Sequence, residues 1–170
     1  IPVVVPRGAS WMDEAGTHAT IAKTFGGLIV DLEPYTGFWD RGSLRNIPNY
    51  AQHLRFNAPN AQLIIQPDPR SYGLSGIQYD AVITYFDGVM AQHYVGWNEA
   101  QWLDVEAEVQ AFHNLKQRSP NKMMGVTLWG LGNLEVAGAF YEKVKAEINL
   151  GVNVFTLGNM NQEQLTYFGS

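Results

Sequence analysis

The 170-residue chain is 46% hydrophobic and 12% aromatic but only 16% charged, which is enough apolar material for one domain with a sizeable core. Eleven Lys+Arg against sixteen Asp+Glu leave a formal charge of −5, so the basic footprint that a nucleic-acid backbone or an anionic membrane would require is missing. With no cysteine, disulfide frameworks, thiolate metal sites and thiol nucleophiles are excluded together.

Short β-branched or aliphatic runs alternate with stretches of helical period. The first run, Ile1 to Val5, starts inside an apolar segment and reads as the continuation of a chain already under way. A helix is expected over 13–25, then a strand from Leu28 to Glu33, a helix over 44–56, a strand from Ala61 to Gln66 and a short helix over 76–85. The fourth strand is placed at Val89 to Tyr94. The helix over 99–117 is opened by Asn98 as a cap, with Gln101 three residues on, and is stopped by Pro120. Met123 to Trp129 is the fifth strand. The next helix, 134–149, repeats Val136, Phe140, Val144 and Ile148, with Gly151 placed as its left-handed cap. Val152 to Leu157 is the sixth strand, followed by a short tail helix over 161–167. No repeat or linker interrupts the chain, and no apolar run approaches the roughly 20 residues of a bilayer span.

Strand–helix alternation of this kind builds either an open doubly wound sheet or a (β/α) barrel. The dinucleotide fingerprint, the phosphate-binding loop and the hydrolase elbow are all absent: Gly130-Leu131-Gly132 lacks the third glycine, and Gly73-Leu74-Ser75-Gly76 has the wrong spacing. The reading is therefore a barrel, with no cofactor.

The chemistry concentrates at strand ends, where barrel active sites are built. In Gly27-Leu28-Ile29-Val30-Asp31-Leu32-Glu33-Pro34-Tyr35, alternation puts Leu28, Val30 and Leu32 on one face and Ile29, Asp31 and Glu33 on the other. Two like charges sharing a partly buried face favour keeping one carboxyl protonated near neutral pH. Glu33 is the candidate acid, with Asp31 orienting it or stabilising positive charge on a substrate; the bland alternative has both carboxylates bound to neighbouring helix ends. Asp68, between two prolines, is more often a turn or cap residue than a catalyst, and it is taken with Gln66 and Gln92 as a candidate substrate contact. Gln92 and Tyr94 share a face, so an inward Tyr94 sends His93 outward. Gln66, Tyr35 and the tryptophans Trp39, Trp97 and Trp129, together with Trp11, lie at or just after strands, and flat rings among amides and carboxylates suit a carbohydrate. Trp102 is assigned to helix packing. His18, His53, His93 and His113 have no paired ligand spacing, so no histidine metal site is expected, while an oxygen-ligated ion at the carboxylates stays open.

At these residues the sequence resembles a glycoside-hydrolase TIM barrel. Asp31-Leu32-Glu33 resembles the Asp-x-Glu strand-four motif of family 18 chitinase-like proteins and family 25 lysozyme-like muramidases, and Val89 to Tyr94 resembles the strand-six segment of the former. The resemblance implies Glu33 as proton donor, Asp31 acting with a substrate N-acetyl group and Tyr94 contacting that group. It departs at Ile29 and Val95, where the chitinase pattern has aspartates, and in Trp129, which lies on the second-to-last run rather than the last.

Counting from that motif makes the six runs strands three to eight. The barrel would then lack its first two strands, to be supplied by an upstream segment, a second chain or a neighbouring copy; an open six-stranded arrangement is the alternative. Two functions compete: cleavage of a β-linked, N-acetylated or plain glycan, and a non-catalytic barrel that binds carbohydrate or belongs to a larger assembly. A lyase or aldolase barrel is disfavoured because no strand end offers a lysine for a Schiff base.

Overall fold

The computed structural model describes residues 1–95, 104–129 and 133–155, apart from the side chains of 129, 134 and 153–155. Six strands follow chain order through one sheet: β1 (Val3–Val4), β2 (Gly27–Asp31), β3 (Gln62–Gln66), β4 (Gly88–His93), β5 (Met123–Trp129) and β6 (Gly151–Phe155). The registered pairs β1–β2, β2–β3, β3–β4 and β5–β6 are all parallel. The helices between them are α1 (Trp11–Phe25), α2 (Ile47–Asn57), α3 (Ser71–Gly76), α4 (Tyr79–Val82), α5 (Val105–Arg118) and α6 (Leu134–Val144). This is an α/β fold in which each strand lies beside the next in sequence, the connectivity of a (β/α) barrel, as the alternation predicted. The chain divides into two compact units, Ile1–Val89 and Met90–Ser170.

In the first unit α1 lies against β2 and α2. Ala15, Ala19 and Ala22 are buried on one stripe of α1, and their small side chains let the helix approach the sheet closely. Leu28, Val30 and Leu32, together with Leu63 and Ile65, are fully buried, and with Tyr50, Ala51 and Leu54 of α2 they form the core between sheet and helices. Gly26, at φ 74°, supplies the left-handed turn that ends α1 and starts β2.

In the second unit His93 is wholly buried on the helix side of β4. Its Nδ1 is 2.8 Å from Glu108 Oε2 of α5, and its ring packs on Phe112 and Phe140. His93 therefore takes the outward position expected of it, opposite Gln92. Asn133 caps α6 by accepting from the N–H groups of Glu135 and Val136, which are among the free donors of its first turn.

Several expectations are corrected in detail. The helix expected over 76–85 is two short pieces, α4 and a 3₁₀ turn at Ile83–Tyr85; α3 has already ended at Gly76, and Gln78, at φ 55°, separates it from α4. The helix placed at 99–117 is described from Val105, with Asp104 as its cap accepting from Ala107 N–H; Asn98, Gln101 and Trp102 lie outside the described residues, as do Gly130-Leu131-Gly132 and the tail at 161–167. Gly151 has a positive φ of 113° but opens β6 instead of capping α6, which ends at Val144 and passes through a 3₁₀ turn at Lys145–Glu147.

The loops after β1 and β2 are bound to each other. Arg41 N–H donates to Arg7 O, and the Arg7 guanidinium grips both oxygens of Asp40 at 2.8 and 2.7 Å. That grip, with the Gly37 N–H, holds the Asp40 carboxyl down to about 2. Burial pushes the Glu14 carboxyl up, but N–H donation from Gly8, Arg7 and Ser10 prevails and holds it below its ordinary value. A Cβ at Gly42 would collide with the carbonyl of Gly8, and one at Gly8 would stand 2.5 Å from Trp39 Cε2.

Two glycine substitutions should consequently act in opposite directions. Gly42→Ala is expected to lower stability by roughly 2 kcal/mol or more, since backbone must shift. Gly16→Ala, in the interior of α1 with nothing within 4 Å of the added methyl, should raise it by about 0.5–1 kcal/mol. Thermal unfolding of the two variants beside the parent checks both signs.

Candidate functional site

Because Leu28 and Val30 fill the core under the helices, the two-residue repeat sends Ile29 and Asp31 to the other face of β2, and Glu33 follows two residues past the end of the strand. The parallel register sets Asp31 beside Gln66 and Ile29 beside Ile64, so Ile64 and Gln66 share that face. Its base is apolar and buried, with Ile29 and Ile64, and its C-terminal end is polar. Glu33 is only 6% exposed and Gln66 only 3%, while Asp31 is half-buried. Gln66 Oε1 is buried with no hydrogen-bond donor among the described residues, an acceptor that ordinarily demands a partner.

Asp68, 4% exposed, lies two residues beyond β3. It accepts from the Tyr35 hydroxyl at 2.5 Å, from the Arg70 backbone N–H at 2.9 Å, and from the Arg70 guanidinium through Nε and Nη2, the last at 2.6 Å. A carboxylate so fully engaged is a fixed anchor; the turn-residue reading of Asp68 is right about its place and incomplete about its work. The Tyr35 hydroxyl is pushed above its ordinary value by burial, then by the hydrogen bond and charge of Asp68, with Glu33 contributing in the same sense. Glu33 and Asp68 thus act on the same phenol, which remains protonated and a donor.

Helix α3 lies directly on this corner. A Cβ at Gly73 would fall 2.8 Å from Asp68 Cβ, and one at Gly76 would fall 2.5 Å from Pro34 Cγ, so both positions require glycine for close approach. The result brings Tyr72 onto Tyr35 in a stack with centroids 5.9 Å apart and planes at 19°.

Trp39 departs from its expected role. It is 2% exposed, its Nε1–H donates to Ser43 O, and its ring meets Tyr50 edge-on. Loop closure between Gly8 and Gly42 seals it in, so it is a packing residue and presents no ring face to a ligand. Gln92 is buried on β4 opposite His93, and Tyr94 is half-buried just past that strand. Trp97 lies outside the described residues, as does the side chain of Trp129, which ends β5. Trp11 stands at the start of α1, edge-on to His53. Arg70 and Tyr72 were not among the residues that sequence reasoning singled out. Among the described residues no group of three His, Asp or Glu could hold a metal ion, and no helix is long and apolar enough to cross a membrane.

No protein-family model matches the chain, and no curated protein matches it. Solved structures do. The wild-type sialic acid aldolase of Ruminococcus gnavus aligns with a TM-score of 0.65 at 13% identity, over 99% of this chain and 56% of that one; its catalytic lysine mutant gives 0.63 at 13%, over 99% and 55%. Bee venom hyaluronidase aligns at 0.50 and 10% identity, over 75% of this chain and 62% of that one. At such identities the likeness defines the fold alone, a (β/α)-barrel architecture. The chain spans a little over half the length of the aldolase.

Removing the anchor's charge gives a test of this corner. Asp68→Asn should lower stability by roughly 1–3 kcal/mol, the cost of leaving the half-exposed Arg70 without its partner, and return the Tyr35 titration part of the way toward 10.0, because burial remains. The sign follows from linkage: a phenol whose folded pKa is raised contributes stability that is complete below the unfolded value and is lost as pH rises beyond it. Ultraviolet phenolate titration and alkaline unfolding curves of the two proteins check both parts.

Proposed function

We propose that the chain is the site-bearing part of a (β/α)-barrel glycoside hydrolase acting on a β-linked glycan. The observation that supports the reading is Asp31 beside Gln66 at the C-terminal ends of β2 and β3, with Glu33 buried two residues further on. Barrel enzymes place their chemistry at this end of their strands.

In this reading Glu33 donates the proton to the departing glycosidic oxygen, while Asp31 stabilises the positive charge that develops on the sugar. Gln66 Oε1 accepts from a hydroxyl or amide N–H of the substrate. Tyr35, whose one O–H is donated to Asp68, keeps a neutral phenol oxygen near the acid as an acceptor. The resemblance of Asp31-Leu32-Glu33 to the chitinase-like and lysozyme-like motif supports this assignment, and with it an N-acetylated sugar whose own amide takes part. Both solved neighbours carry the names of enzymes of carbohydrate chemistry, which agrees with the same broad class. A barrel completed by upstream sequence or a second chain is part of the proposal.

The aldolase alternative meets a chemical obstacle. That neighbour is described with a catalytic lysine, whereas the lysines here are Lys23, Lys116, Lys122, Lys143 and Lys145. Lys23 is in the last turn of α1, Lys116 is in α5, Lys122 precedes β5, and Lys143 and Lys145 close α6. None follows the C-terminal end of a strand, so these residues give a Schiff base no nucleophile at the site.

Glu33→Gln keeps the size and hydrogen-bonding capacity of the side chain and removes its proton-donor chemistry. Hydrolysis of a β-linked oligosaccharide should fall about 10²- to 10⁴-fold, with affinity for the intact chain within a few-fold of wild type. Reducing-end release and calorimetric titration measure the two quantities. Undiminished turnover in this variant would remove Glu33 from the mechanism.

A further inference from the structure

Tyr72 is a large aromatic residue with 71% of its surface exposed, yet it is not a loosely held side chain. One face of its ring stacks on Tyr35, whose hydroxyl is tied to Asp68. Asp68 is in turn gripped by Arg70, and the segment bearing Tyr72 is seated on Pro34 and Asp68 through Gly76 and Gly73. Two glycines, a buried carboxylate and an arginine thus support a ring that stays largely exposed. Displaying a fixed apolar plane to water gains nothing for the fold; it is the arrangement expected where a ligand completes the stack.

We propose that Tyr35 and Tyr72 form an aromatic shelf that binds one ring of a neutral saccharide, next to the carboxylate pair at the ends of β2 and β3. The inference rests on the reading of this end of the sheet as a sugar site, and it adds the substrate class. The C–H face of a pyranose fits a flat ring, and fixed aromatic planes lose little conformational freedom when they bind. Gln66 Oε1, buried at the end of β3 and without a donor among the described residues, gives a hydroxyl or acetamido N–H a place to bond.

Charge sets the class. Apart from Glu33, which carries its proton in this reading, the ionisable groups in and just past the ends of β2 and β3 include Asp31 and Asp68 against Arg70, which still leaves an excess of negative charge when Glu33 is replaced by Gln. Arg70 directs its guanidinium to both oxygens of Asp68, so it is committed there and does not present a fork to a sugar carboxylate. A uronate- or sialate-bearing ring would meet like charge, whereas a neutral ring would not.

Calorimetry in the Glu33→Gln background, where bound chains stay intact, tests the shelf. The probes are β-linked tetramers of N-acetylglucosamine, glucose and mannose, with a hyaluronan tetramer as the anionic counterpart. The best neutral tetramer should bind at least about tenfold more tightly than hyaluronan, and adding Tyr72→Ala should weaken it about tenfold or more. Tyr72→Trp should stay within about threefold, showing that the plane and not the fold is what was lost. Binding unaffected by Tyr72→Ala, or a preference for hyaluronan, would overturn the proposal. Hydrolysis by the parent protein separates the two readings: cleavage with Tyr72-independent binding removes the shelf and leaves Glu33, Tyr72-dependent binding without cleavage leaves the shelf and removes the acid, and neither binding nor cleavage removes both.

Discussion

The site depends on the parity of one strand. Leu28 and Val30 must lie under the helices, since the alanine stripe of α1 leaves space for large aliphatic side chains and these fill it. A slip of one residue would take Leu28 and Val30 out of the space under the helices and turn Ile29 and the Asp31 carboxylate into it. The same repeat that stabilises the sheet therefore fixes where the Asp31 carboxylate points. Register with β3 extends the constraint, because pairing Asp31 with Gln66 sets a buried amide beside a carboxylate with no loop involved in the placement.

Beyond the strand ends, precision passes to a small set of polar anchors. Asp68 joins Tyr35 to Arg70 across the mouths of β2 and β3, and Arg7 with Asp40 joins the loops after β1 and β2. The exposed Arg7–Asp40 pair adds little by itself, but the neighbouring Gly8–Gly42 approach and the sealed Trp39 make that junction specific. The half-buried pair at Asp68 is costlier to break, and it holds Tyr35, whose hydroxyl also feels the charge of Glu33.

Much of the architecture was legible in the letters, because burial on both faces writes strands as apolar runs and periodicity marks outer helices. Met123 to Trp129 coincides with β5, and Leu28 to Glu33 overlaps β2 and runs two residues past its end. Boundaries set by local conformation were harder. The left-handed Gln78 that separates α3 from α4 has no sequence mark, and Gly151 can serve a helix end or a strand start equally well. In the candidate site, alternation marked Asp31 and Glu33 as residues to share a face, and the register of β2 with β3 sets Asp31 beside Gln66. The burial of Trp39 was not legible, since it follows from Gly8 and Gly42 meeting across a long stretch of chain. Nor was the importance of Arg70 and Tyr72, because an exposed tyrosine in a turn-rich segment has no period; the glycines at 73 and 76 beside Pro34 were the one hint of close packing.

The central claim is that an oligosaccharide lies across the ends of β2 and β3 with its glycosidic oxygen at Glu33. Crystals of the Glu33→Gln protein soaked with an intact β-linked tetrasaccharide test it most directly. The account expects density for a chain whose glycosidic oxygen is about 2.6–3.2 Å from the side-chain amide introduced at that position, with Gln66 Oε1 accepting from the sugar. A saccharide bound elsewhere with this corner unchanged, or the substituted side chain turned away beneath the helices, would contradict it.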